Sequence, residues 1–187
     1  MSLYNPETLI FVDETGCDRR AALRRYGYAL QGKPAICDRL LIKGKRCNAI
    51  SAMCMDGVLD VHIKEGTVGG NEFCNFIELC LLPQLLPFNG TNPRSVVVMD
   101  NASIHHVEYA ASLIEEVGAL VVFLPPYSPD VMPIEELFSK VKGFLRANDP
   151  YIQIASDSEI KDVIFAAFAS ITSSDCYQWV EHCGYIR

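Results

Sequence analysis

Nowhere in the sequence does an apolar run approach the ~18 residues that a membrane-spanning helix needs. Met1 to Pro6 offers neither the basic start nor the apolar stretch that opens a signal peptide. These absences lead us to expect a soluble, intracellular chain with no membrane partner, nuclear if its source is eukaryotic and cytoplasmic otherwise. Zinc-ribbon chemistry is lacking too, because the cysteines at 17, 37, 47, 54, 74, 80, 176 and 183 include no Cys-x-x-Cys pair. Cys47, Cys54, Cys74 and Cys80 lie inside apolar runs, where a thiol serves as a small core side chain in a reducing compartment. Internal repeats, low-complexity tracts and linkers are missing as well, so residues 1–187 read as one domain.

Basic charge is scarce overall, and a net charge of −7 argues against a protein that coats nucleic acid over its whole surface. The scarcity is uneven. Arg19, Arg20, Arg24, Arg25, Lys33, Arg39, Lys43, Lys45 and Arg46 face the single acid Asp38, a local balance of +8 beside a remainder of −15. A concentrated basic strip on an acidic body suits a phosphate-gripping edge. A solvated hairpin explains the same charges, and charge alone does not choose between the two.

What is present in quantity is apolar: half of the residues are hydrophobic, enough for a substantial core. Thr8 to Asp13 (TLIFVD), Arg25 to Leu30 (RYGYAL) and Cys47 to Met55 (CNAISAMCM) read as strands, and Asp56-Gly57 as a hairpin turn that folds Val58 to Ile63 back. Phe73, Phe76, Ile77, Cys80 and Leu81 recur with helical spacing, which predicts a crossover helix. Ser95 to Asp100 and Ala119 to Leu124 then read as strands around a helix over Val107 to Val117, an alternation that requires parallel pairing. Pro133 suits the first turn of a helix to about Ala147 that buries Ile134, Leu137, Phe138, Val141 and Leu145. Ser156 and Glu159 form a capping box for a last helix. The order predicts an α/β fold of ribonuclease H-like type: a mixed five-stranded sheet, three antiparallel strands and then parallel ones, flanked by helices.

Asp13 and Asp100 share one station, each ending an apolar strand, and ligands of α/β sheets bind beyond such strand ends. Two carboxylates brought together there repel unless a cation lies between them, and hard oxygen ligands select magnesium or manganese. Each acid alone also reads as an ordinary turn residue. The helix after Pro133 offers Glu135 and Glu136 as a third carboxylate. Glu136 has Lys140 four residues on, a surface ion pair, whereas Glu135 shares its stripe with Ser139, Lys142 and Arg146. A metal-binding acid followed by cations that reach phosphate suits an enzyme acting on DNA, which favours Glu135.

FVDETG (11–16), VVMDNASIHH (97–106) and LPPYSPDVMPIEELFSKVKG (124–143) resemble the three motif blocks of the DDE superfamily endonucleases, the mariner-like and related bacterial insertion-sequence transposases. The 34 residues between Asp100 and Glu135 match the separation in that group. RRYGYALQGKP (24–34) and the stretch from Ala52 to Val68 look similar too, so the resemblance runs from about Leu9 to Arg146. It implies that Asp13, Asp100 and Glu135 are catalytic metal ligands, with Asn101 and His105 or His106 as accessory groups beside the second acid. Tyr127, Ser128 and Pro129 look like the loop that aims the last motif helix. One departure stands out: relatives usually carry Asn where this chain has Met132, so a helix-capping amide is lost.

The activity implied is cleavage and joining of DNA strands by in-line displacement with two Mg2+ or Mn2+ ions, Asp13 bridging both and Asp100 and Glu135 holding one each. The DNA-binding candidates are Arg19, Arg20, Arg24, Arg25, Lys43, Lys45, Arg46, Lys142 and Arg146. Double-stranded DNA, both transposon ends and target, is the implied partner and a homodimer the implied assembly. Two other readings stay open. The first strand begins near residue 8, so the upstream helix-turn-helix region of relatives is expected to be absent, which fits a domesticated remnant that binds DNA or protein without cutting. The architecture alone also fits a ribonuclease H-like nuclease or resolvase.

Overall fold

The computed structural model describes residues 4–22, 27–36, 44–100, 104–125 and 129–186, with 104–107 and 129 described through the backbone alone. Five strands form one sheet: β1 (Leu9–Gly16), β2 (Cys47–Cys54), β3 (Gly57–Glu65), β4 (Val96–Met99) and β5 (Leu120–Phe123), in the order β3-β2-β1-β4-β5. The Asp56-Gly57 turn lets β2 and β3 pair antiparallel, and β1 pairs antiparallel with β2. From β1 onward the pairing is parallel, β1 with β4 and β4 with β5. The change of sense follows from the connections. A tight turn returns a strand antiparallel, whereas a helix crossing over delivers it parallel.

The crossovers are α1 (Gly70–Phe76), continued through a π turn over Ile77–Leu81, and α2 (Ile104–Glu116). Four more helices follow β5: α3 (Pro133–Ala147), α4 (Asp149–Ile154), α5 (Asp157–Ala169) and α6 (Ser173–His182). The alternation of β1 decides which helices cover which face. Ile10 and Val12 join the core under α1 and α2, with Ile50, Val97 and Met99. Leu9 and Phe11 join the opposite core with Val96, Val98 and the buried stripe of α3, Ile134, Leu137, Phe138, Val141 and Leu145. Both faces of the sheet are therefore covered, and β2 is buried along its whole length. Helices on both faces of this mixed sheet make the fold ribonuclease H-like.

Two expectations need correction. The described part of RYGYAL is not a strand: Gly27 to Leu30 pairs with nothing in the sheet, Tyr28 and Leu30 stand 107% and 81% exposed, and Arg25 and Tyr26 lie outside the described residues. A strand needs both a ladder partner and a face to bury, and this segment has neither among the described residues. The helix opened by Ser156 forms with its capping box, Glu159 N–H donating to Ser156 Oγ at 3.3 Å, but it is not the last. Thr172 and Asp175 build a second capping box that starts α6, and α4 also went unread. The cysteine reading stands: every described cysteine is free, and Cys47, Cys54 and Cys74 are buried.

Candidate functional site

Asp13 follows Phe11 on the same side of β1, the side covered by α3, because side chains alternate along a strand. Asp100 lies just past the end of β4, two residues after Val98. Phe11 and Val98 are register partners, so each aspartate stands two residues beyond the last rung of the β1–β4 ladder. Neighbouring strands lie about 4.8 Å apart. Past Phe11, β1 keeps only its β2 partner, Asp13 standing opposite Ser51, and the flank toward β4 opens where Asp100 leaves the sheet. Asp13 is half-buried and Asp100 exposed.

Glu135 reaches the same region from α3. It is the third residue of that helix and exposed, while Ile134, Leu137 and Phe138 on either side anchor the helix in the core beneath it. Asp13 registers the charge of the other two acids. Burial pushes the Asp13 carboxyl up to about 7, and the negative charges of Asp100, Glu135 and Glu14 push the same way against the Glu14 N–H, which donates to Asp13 Oδ1 at 2.7 Å. Burial and Asp100 raise Glu14 as well, while Arg46 lowers it. Among the described residues no group of three or more His, Cys, Asp or Glu side chains is gathered closely enough to hold a metal ion. The acids approach from three elements as separate, mutually repelling charges. Their donor set is all carboxylate oxygen, which fits a hard divalent cation, and such a cation would relieve the repulsion at Asp13.

α3 enters this region without a side-chain cap. Met132 occupies the N-cap position, makes no capping bond, and is 3% exposed in the core instead. Pro133 at the first helical position removes one orphan donor. Glu136 does not pair with Lys140. It meets His182 of α6, and Lys140 reaches Asp175 at 2.6 Å. A groove of about 550 Å³ runs beside these groups, lined by Asp130, Glu135, Glu136, Ser139, His182 and Cys183.

The basic strip divides. Arg19 is not a phosphate contact: it is 8% exposed, and its guanidinium donates to the carbonyls of Ile152 (2.6 Å), Gln153 (3.0 Å) and Ala155 (2.6 Å), with Asp157 3.5 Å away. The end of α4 presents unsatisfied carbonyls, and a forked cation satisfies them. Arg20 is exposed but paired with Asp18, and Lys45 is paired with Glu65. Arg46 is exposed, within reach of Glu14. Arg24, Arg25, Arg39 and Lys43 lie outside the described residues. Lys142 and Arg146 are half-buried on the helix face that carries Glu135. Lys142 comes near enough to the end of β1 to pull the Cys17 thiol down, although burial takes that thiol up to about 12.

Asn101, Tyr127 and Ser128 lie outside the described residues, as do the side chains of His105 and His106, whose backbone lies in the first turn of α2. The site neighbours that the sequence reading missed are His182 and Tyr185. Tyr185 Oη donates to the Val131 carbonyl at 2.7 Å, in the turn that leads into α3. Their signal was the Thr172-x-x-Asp175 capping box and Gly184, which mark the two ends of α6.

A family model described as DDE superfamily endonuclease matches residues 8–156. Solved structures of similar fold include a pre-cleavage Mos1 transpososome, with a TM-score of 0.72 and 18% identity over 95% of this chain and 53% of that one. The Mos1 mariner paired end complex with Mn has a TM-score of 0.68 and 18% identity, covering 94% and 52%. The catalytic domain of Mos1 mariner transposase has a TM-score of 0.60 and 14% identity, covering 94% and 76%. At these identities the likeness is one of fold. The chain spans about half the length of the transposase chains in the two complexes. No curated protein matches the sequence.

Proposed function

This chain belongs to the DDE superfamily endonucleases, and from that premise we propose that it is a transposase catalytic domain that cuts DNA strands and joins them to new partners. The observation that carries the reading is the meeting of charges at Asp13, where Asp100 from β4 and Glu135 from α3 both act on a half-buried carboxyl. Like charges gathered around one half-buried carboxyl from separate elements are costly unless a cation is meant to sit there.

Asp13, Asp100 and Glu135 would hold magnesium or manganese, and two ions are the natural complement for in-line displacement at phosphorus. Mos1 structures carry Mn or Mg, and one carries a left transposon end. When bound, such ions generate a potent oxygen nucleophile and neutralise charge on the leaving oxygen. The chain's own residues supply placement. The Glu14 N–H orients one oxygen of Asp13 at 2.7 Å. Glu135 sits in the first turn of α3, above the buried stripe that anchors the helix. Lys142 and Arg146 continue the same face and would grip flanking phosphates without reading bases. Double-stranded DNA is the proposed substrate, with two copies of the chain acting together on paired ends.

The test is Mn2+-dependent nicking of supercoiled DNA by the native chain and by Asp100→Asn. The native chain is expected to nick and the variant to lose nicking while keeping its fold; undiminished nicking by the variant would refute the assignment. DNA binding without nicking by the native chain would point to a non-cutting remnant. A preference for RNA–DNA hybrid over duplex DNA would point to a hybrid nuclease.

A further inference from the structure

Glu135 stands on a helix whose first turn has no side-chain cap, next to acids that repel it. Beyond the buried stripe of Ile134, Leu137 and Phe138 that anchors the helix, further contacts hold its lead-in turn. The C-terminal end of α6 supplies them. Gly184 takes φ +81, its N–H donates to Glu181 O at 2.9 Å, and the Tyr185 N–H donates to Val180 O at 3.1 Å. That pair of bonds around a left-handed glycine is the Schellman reversal, which turns the chain back on itself. The turn delivers Tyr185 to the α3 side of the sheet.

Tyr185 touches both halves of the site at once. Its ring packs edge-on against Phe11, with centroids 5.1 Å apart and planes at 65°. Phe11 lies two residues before Asp13 on the same face of β1. The Tyr185 hydroxyl donates to the Val131 carbonyl at 2.7 Å, four residues before Glu135. One rigid side chain with an apolar body and a polar tip therefore spans from the strand of the first acid to the turn that aims the third. Burial raises its phenol to about 12, so the hydroxyl keeps its proton and remains a donor at any working pH.

We propose that Tyr185 is a positioning residue that sets the spacing between β1 and the lead-in turn of α3, and so places Glu135 relative to Asp13. The consequence for cation binding rests on the metal-site reading above; the spacing itself does not. The ion pair between His182 and Glu136 and the Lys140–Asp175 pair hold α6 to α3 further along. Tyr185 alone among these reaches β1.

The test is Tyr185→Phe, which keeps the ring on Phe11 and removes only the hydroxyl. Two quantities are measured on the full chain: amide hydrogen exchange, and Mn2+ affinity by titration without DNA. Exchange over residues 131–136 is expected to quicken about fivefold, the effect of one lost hydrogen bond, with the rest of the chain unchanged. Mn2+ affinity is expected to fall by a similar factor. Tyr185→Leu, which also removes the ring contact, is expected to exceed both effects. Unchanged exchange over 131–136, or an equal rise throughout the chain, would overturn the proposal. So would native Mn2+ affinity in a variant whose segment has loosened. If the native chain binds no Mn2+, the metal-site reading fails, and exchange over 131–136 still decides the spacing.

Discussion

Asp13, inside β1, and Asp100, just past the end of β4, each stand two residues beyond the register pair Phe11 and Val98. Because strand side chains alternate, Asp13 shares the side of Phe11 that α3 covers, and the charges of Asp100 and Glu135 both reach it there. A slip of one residue in β1 would send Asp13 to the opposite face.

Crowding at Asp13 sets stability against function. Asp13→Asn removes a charge that burial and three neighbouring acids oppose, and the amide oxygen can still accept the Glu14 N–H. Without divalent cations at pH 8 the variant is expected to melt roughly 2–4 °C above the native chain, equivalent to about 1 kcal/mol. Added Mn2+ should raise the native melting temperature and leave that of the variant in place, because only a ligand that binds the folded state stabilises it. Equal Mn2+ stabilisation of both would count against Asp13 as a ligand.

Arg19 is a joint of the fold. Arg19→Ala leaves the Ile152, Gln153 and Ala155 carbonyls without their donor. We expect a loss of about 3 kcal/mol, seen as a fall in melting temperature of roughly 6–12 °C. Arg19→Lys should recover only part of it, since an ammonium lacks the planar fork. The salt slope of DNA binding, measured where both chains are folded, should not change.

Restoring the relatives' amide at Met132 is expected to weaken the fold. Asn would add a helix cap worth about 1 kcal/mol. The same change removes a side chain only 3% exposed in the core, a loss of about 2–3 kcal/mol. Lost burial outweighs the new cap, so Met132→Asn should lower stability by roughly 1–2 kcal/mol in urea unfolding.

The tie between α3 and α6 should respond to acid. Lys140 and the capping bonds of Thr172 hold the Asp175 carboxyl down at about 2. A depressed carboxyl contributes stability above its unfolded value near 3.8 and loses it as pH falls through about 2. The gap in melting temperature between the native chain and Asp175→Asn should be full at pH 5 and close between pH 4 and pH 2. A gap that persists at pH 2 would show that Asp175 acts through something other than its charge.

Local pattern made much of this molecule legible. Apolar runs ending in acid marked β1 and β4, Asp56-Gly57 marked the hairpin, and the stripe from Ile134 to Leu145 marked α3, because each is a short-range regularity with a short-range cause. RYGYAL shows the limit: its apolar side chains suit a strand, but Gly27 to Leu30 joins no ladder and leaves Tyr28 and Leu30 exposed. The Glu136–Lys140 pair failed for a related reason. Helical spacing permits that contact, yet α6 offered each residue a partner of its own, His182 and Asp175.

Residue type and periodicity, written locally along the chain, were enough to mark the strands and the helix that carry the three candidate carboxylates. What the charged side chains meet was settled by packing alone. Arg19 looks like the other cations of its strip until the carbonyls at the end of α4 arrive beside it, and Tyr185 has no visible role until the reversal at Gly184 lays it across Phe11 and Val131. Contacts between residues more than fifty positions apart depend on how whole elements pack, and no local pattern encodes that.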